Sequence, residues 1–195
     1  MTGDENDLVR RCASGDRHAL EILYHRYAEK VWRYGWFVTQ SRDAAGDVVQ
    51  ETFLKLATAA GQFEGRSSFA TWLFTLTRSA TAGVLRKKRR TFPDTGKRPF
   101  LRIVSVESPP AQTEEETKES VRRAVGELPP AQRDVVVLCE LGDQSIKEAG
   151  AILGWTEARV KTTLFRARQR LREKLAGLVN ASLSGRQELR SEPRP

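Results

Sequence analysis

Arg159, Lys161, Arg166, Arg168, Arg170, Arg172 and Lys174 crowd one short stretch against only two carboxylates, Glu157 and Glu173. Guanidinium and ammonium groups at that density suit a polyanion. Val160, Leu164, Ala167, Leu171 and Leu175 recur among them every three or four residues, which makes a helix with one apolar face. Just upstream, Ser145 and Glu148 stand in the S-x-x-E relation of a capping box. Ala149, Ile152 and Leu153 give that shorter helix its apolar face. Gly154 ends it where a positive φ is wanted, and Thr156 can cap the helix that follows. Gly150 lies where two crossing helices need a small residue. The stretch reads as a helix-turn-helix whose second helix would enter a major groove. An ordinary bundle can also show a basic face to solvent, so the rest of the chain has to decide.

The chain has 195 residues, enough for one or two domains with proper cores. Its net charge is +8 and its pI about 9.9. The charge is unevenly spread. Residues 1–92 and 117–195 each hold 15 Lys/Arg against 10 Asp/Glu, whereas residues 93–116 hold 3 against 5. Two basic blocks therefore flank an acidic connector. The two cysteines, Cys12 and Cys139, lie in separate blocks, which argues against a disulfide framework and fits a reducing cytoplasm. No stretch reads as a signal peptide or a membrane span. The Asn180-Ala181-Ser182 sequon carries no weight in a cytoplasmic chain.

The elements that must hold these residues can be read in order. Residues 1–6 are polar and expected to fray, with a helix from Asp7 to about Cys12. Asp16 can cap the next helix, in which Leu20, Leu23, Tyr24, Tyr27, Val31 and Tyr34 form a stripe. Ser41 to Asp43 reads as a turn or cap before a helix carrying Val49, Phe53 and Leu56. Gly61 and Gly65 mark a loop. Phe69, Trp72, Leu73, Leu76 and Ala80 then form another stripe, running into Arg86-Lys87-Lys88-Arg89-Arg90. Pro93, Pro99, Pro109, Pro110 and the acidic run Glu114 to Glu116 give residues 93–116 the composition of a linker. A third helical block starts near Thr117 with Val121, Ala124, Val125 and Leu128, and Pro130 suits the first turn of its successor. Val135 to Leu138 has strand propensity, but its flanks are helical and the segment is expected to be helix. Residues 177–195 read as a disordered tail. The expected fold class is all-α: two small helical domains joined by a flexible linker, the second containing the helix-turn-helix.

Three stretches, in order, resemble the sigma-70 family. Asp47-Val48-Val49-Gln50-Glu51-Thr52-Phe53-Leu54-Lys55-Leu56 looks like its D-L-V-Q-E-x-F-L-x-L core. Ser67 to Phe74 is similar to its F-x-x-W-L segment, and Leu128-Pro129-Pro130-Ala131-Gln132-Arg133-Asp134-Val135 to the L-P-x-x-Q-R-x-V opening of its last domain. Two blocks with a short linker and no other domain resemble the extracytoplasmic-function (ECF) group. The resemblance implies a transcription initiation factor of the cytoplasm. Residues 1–92 would bind the β′ clamp helices of core RNA polymerase and melt the −10 element. Residues 117–176 would bind the β flap and read the −35 element as duplex. It also implies control by an anti-sigma factor. It implies no catalytic residue, cofactor, metal or membrane contact.

The residues allow these roles to be placed. Asp47, Gln50, Glu51 and Lys55 fall at i, i+3, i+4 and i+8 and share a polar helix face on which polymerase could dock. Flipped bases must be stacked and held. Phe63, Arg66, Ser67, Ser68 and Trp72 offer aromatics, hydroxyls and a cation for that. The spacing of Phe69 and Trp72 favours core, which leaves Phe63 and the serines as the better base contacts. Arg78, Ser79, Arg86, Lys87, Lys88, Arg89 and Arg90 complete the −10 set, the cations on phosphates. In the second domain Lys161 and Arg166 should hold phosphates, with Arg168 as a third candidate. Glu157, Arg159, Thr162 and Thr163, beside the cap Thr156, should meet base edges.

The chain departs from the family pattern at Gly46 and Ala57, at Ser79 and Gly83, which points to an unusual promoter, and at Arg159, Thr163 and Phe165, which points to a divergent −35 sequence. An enzyme is disfavoured: there is no phosphate loop or nucleophile elbow, and Cys12, His18 and His25 fit no zinc spacing. A dimeric helix-turn-helix regulator would leave the motifs around Asp47 and Phe69 without purpose. The cysteines are expected to be inert packing.

Overall fold

The structure is a computed structural model that describes the backbone of residues 2–91 and 114–188 and the side chains of residues 4–88 and 117–176. Among the described residues there are eight α-helices and no strand. The prolines and Leu101 to Val104 of the expected linker, and residues 189–195, lie outside them.

Helices α1 (Thr2–Ala13), α2 (Arg17–Thr39), α3 (Arg42–Ala59) and α4 (Phe69–Thr91) make the first unit. The Asp16 carboxylate accepts from the amides of His18 and Ala19 at 2.9 and 3.2 Å, and the Ser41 hydroxyl from that of Ala44 at 3.3 Å. Each cap meets donors that a helix start leaves unpaired. Leu8, Leu23, Val31, Val48, Leu56, Phe69 and Leu73 close the core of this unit. Of the start expected to fray, residues 2–6 are instead part of α1. Arg26 reaches Asp4 at 2.6 Å, and the Tyr27 hydroxyl donates to Glu5, so the first turn is tied to α2.

The second unit holds α5 (Glu114–Gly126), α6 (Pro130–Val136), α7 (Ile146–Leu153) and α8 (Glu157–Glu188). Pro130 starts α6, as its fixed φ allows. After Val136 the backbone widens into a π turn over Val137–Leu141, so the β-branched run is helical but not uniformly α. Two boundaries differ from expectation. The acidic run Glu114 to Glu116 opens α5 rather than closing the linker, and α8 continues to Glu188 through most of the expected tail.

The two units share one apolar core. Tyr34, Phe37, Val38 and Phe74 of the first are buried with Val125, Leu128, Val137, Leu138, Ile152 and Leu164 of the second. A polar rim borders it. Gln40 ends α2 in the left-handed region at φ 57°, and its side-chain Nε2 donates to the Phe37 carbonyl at 2.7 Å. Its side-chain oxygen accepts from Arg122. Arg133 donates to the Val38 carbonyl at 3.0 Å, and also to the carbonyls of Gly126 and Leu128.

Candidate polymerase and promoter interfaces

The α3 motif divides as its period requires. Val48, Val49, Thr52, Phe53 and Leu56 are buried, while Asp47 and Gln50 are exposed and Glu51 and Lys55 half-buried. Lys55 lies 3.6 Å from Glu51, one helical turn away. Asp47, Gln50 and Glu51 line one wall of a cleft of about 530 Å³, and Val84, Lys87 and Lys88 of α4 line the other. One wall is acidic and one basic. Leu54, 56% exposed, lies in the same cleft. Sequence reasoning passed over it as a site residue. Its position off the stripe of Val49, Phe53 and Leu56 is the signal that could have found it.

The −10 set is brought together only in part. Phe63, Phe69 and Trp72 form one ring cluster, with centroids 5.1 Å apart for Phe63–Trp72 and 6.1 Å for Phe63–Phe69. Phe69 is core as expected, and Trp72 is half-buried. Phe63, favoured as a free base contact, is half-buried and packs against the same core, so only part of its ring is open. Ser68 caps α4. Its hydroxyl accepts from the Thr71 amide at 3.1 Å and lies 2.8 Å from the Thr71 hydroxyl. The Glu148 carboxylate of α7 accepts from both hydroxyls, at 3.3 and 3.4 Å. Ser67 is exposed, as is Arg66, which pairs with Glu64 at 2.5 Å. Trp72, Ser79 and Arg86, seven residues apart, share one face of α4. Arg78 is on another face, close enough to Asp134 of α6 to oppose the rise that burial gives that carboxyl. Lys87 and Lys88 are exposed, and Lys88 reaches the Ser41 hydroxyl at 3.0 Å. The side chains of Arg89 and Arg90 lie outside the described residues.

The helix-turn-helix is assembled as its sequence demands. Ser145 and Glu148 complete the capping box, with the Ser145 amide and hydroxyl 2.9 and 2.7 Å from the Glu148 carboxylate. Those two bonds hold the Glu148 pKa below its ordinary value, against a smaller rise from burial. Gly154 takes φ 69°, and the Thr156 hydroxyl accepts the Arg159 amide at 3.3 Å. Val160, Leu164 and Ala167 seat α8 in the core, so Glu157, Arg159, Lys161, Thr162 and Arg166 face solvent, with Thr163 half-buried. The Thr162 hydroxyl donates to the Ala158 carbonyl at 3.0 Å. Arg168 is engaged within the unit by Glu140 at 2.5 Å. Phe165, 60% exposed, stands on this surface and was not among the expected site residues. An apolar groove of about 600 Å³, lined by Val121, Val125, Val136, Leu141 and Leu171, opens beside α8.

Cys12 and Cys139 are free thiols, and burial pushes both above the usual thiol range. His18 and His25 are exposed beside Glu21, at 3.5 and 4.0 Å. Among the described residues no cluster of metal-ligating side chains occurs, and no helix is long and apolar enough to cross a membrane.

Two helical units, one presenting a capped helix-turn-helix with a cationic outer face, define a DNA-binding regulator. Residues 23–91 match the family model for Sigma-70 region 2, and residues 118–171 that for Sigma-70, region 4. The ECF RNA polymerase sigma factor SigM of Bacillus subtilis is 32% identical over 155 residues, covering 78% of this chain and 93% of its own. The ECF RNA polymerase sigma-E factor of Salmonella typhimurium is 31% identical over 182 residues, covering 88% and 94%. Among solved structures, the sigma factor RpoE of Bartonella quintana, in complex with the anti-sigma factor NepR, superposes with a TM-score of 0.66 at 28% identity, covering 80% of this chain and 96% of its own. CnrH in complex with the cytosolic domain of CnrY shares the fold, with a TM-score of 0.67 at 23% identity, covering 91% and 98%. The chain belongs to the sigma-70 family, in its ECF group.

Proposed function

We propose that the first unit docks on the β′ clamp helices of core RNA polymerase through Asp47, Gln50, Glu51 and Lys55, with Leu54 as the apolar contact between them. The Trp72–Ser79–Arg86 face of α4, with Phe63, Arg66 and Ser67 at its entrance, holds the melted −10 strand. Rings stack bases and the cations meet phosphates. The second unit reads the −35 duplex with Glu157, Arg159, Thr162 and Thr163, positions itself by Lys161 and Arg166, and meets the β flap. This activity belongs in the cytoplasm, with the polymerase. The observation that carries the reading is the seating of α8. Val160, Leu164 and Ala167 face inward, so Glu157, Arg159, Lys161, Thr162 and Arg166 face outward from a helix start, with Thr163 half-buried beside them. An anti-sigma factor controls the protein in this reading, which is supported by the Bartonella relative having been captured with one.

The test is strand opening on a promoter library, with core polymerase present and absent. Opening only when polymerase and this protein are together is expected. Tight duplex binding by the protein alone, without opening in either case, would instead identify a free-standing helix-turn-helix regulator.

A further inference from the structure

We propose that Trp155 is a positioning residue for promoter reading: its ring holds the Arg159 guanidinium edge-on to the base it contacts. The proposal rests on Arg159 being a base reader, as read above. Trp155 lies in the turn between α7 and α8, where small or polar residues would close the chain as well. The backbone there is pinned. The Trp155 amide donates to the Gly150 carbonyl at 2.9 Å. The Trp155 carbonyl stands so close to Gly150 that a Cβ there would lie 2.9 Å from it. The ring is half-buried against the core of the second unit. The Arg159 guanidinium carbon lies 4.0 Å from its centroid.

That geometry matters because of how a guanidinium binds. Its donors radiate in the plane, and stacking occupies only the face. A stacked arginine therefore keeps its whole fork for the O6 and N7 of a guanine, the pairing such a fork fits best. Arg159 is exposed and takes part in no ion pair among the described residues, so the ring is the group that orients it. A side chain already held in one direction loses less freedom on binding the correct base. A wrong base meets a fork that cannot easily turn away. Trp155 would thus set discrimination at one base pair without touching DNA.

The experiment scores −35 preference across a promoter library with core polymerase, for Arg159→Ala, Trp155→Leu and Trp155→Phe. Salt dependence of binding is measured alongside. Arg159→Ala should flatten the preference at one base pair. Trp155→Leu should lower the preference at that same base pair by roughly two- to fivefold, the worth of an exposed cation–π contact. Its salt slope should stay unchanged, because no phosphate contact is lost. Trp155→Phe, which keeps an aromatic face, should retain most of the preference. Trp155→Met gives the same comparison if the leucine variant does not fold. If Arg159→Ala flattens the preference but Trp155→Leu weakens every sequence alike, Trp155 is only a packing residue and the proposal fails while the reader assignment stands. If Arg159→Ala changes no preference, the reader assignment fails and the positioning role goes with it.

Discussion

Lys161 and Arg159 carry the same charge two positions apart on α8 and should answer differently to mutation. Arg159 is oriented by a ring, whereas Lys161 is an exposed ammonium on a flexible stem, suited to a phosphate as a point charge. Lys161→Ala is expected to weaken all promoter sequences alike and to reduce the slope of log affinity against log salt by about 1. Fluorescence titrations over a salt series would show it; a change in base preference would move Lys161 among the readers. The outward direction of both residues was legible from the Val160, Leu164 and Ala167 stripe, because a helical period fixes which positions cannot be buried. The orientation of Arg159 was not, since no periodicity says where an arginine fork rests. Phe63 shows the same limit. An aromatic in a loop looks available in sequence, and only the fold brings it against Phe69 and Trp72.

At the level of elements, the caps were the most readable feature. Asp16, Ser41, Ser145 with Glu148, Gly154 and Thr156 all act where local chemistry places them, because a cap needs only its own few neighbours. Helix ends without such signals were misjudged. Thr2 and Glu188 bound helices in stretches whose composition suggested fraying or disorder. Glu148 makes the α7 cap sensitive to pH. Its folded pKa is depressed, so the stabilisation it gives is complete above the ordinary glutamate value of about 4.3 and is lost as pH falls through the lower folded value. Glu148→Gln keeps an acceptor for the Ser145 amide but carries no charge. It should lose about 0.3–1 kcal/mol at neutral pH, the usual worth of an anion at a helix start. It should also show a shallower loss of stability below pH ~4. Urea midpoints measured against pH would test this, and parallel acid limbs for the two proteins would show that the charge contributes nothing.

The molecule as a whole is held closed by contacts that local sequence does not announce. Arg133 finds its acceptor on Val38, and Glu148 finds Ser68 and Thr71, across wide separations in the chain. Under the expected role of Ser68 at the −10 strand, DNA would have to displace that carboxylate, which would couple the relation between the units to promoter binding. Gly126 is where their fit can be tested with one methyl group. A Cβ at this position would lie 2.5 Å from the Gln40 side-chain amide carbon and oxygen. Gln40 is a flexible side chain, but moving its end gives up the bond to the Phe37 carbonyl and the one from Arg122. Gly126→Ala should therefore destabilise the packing of the units by about 0.5–1.5 kcal/mol, the usual net worth of a hydrogen bond given up. Thermal unfolding, and amide exchange at Trp36 to Val38, would report the loss. Gln40→Ala removes both the obstacle and its hydrogen bonds. Once that side chain is gone, adding Gly126→Ala should change little, and the double variant should be more stable than the two single losses summed. Strict additivity would mean that Gly126 and Gln40 act separately, and that close approach at this point does not hold the units together.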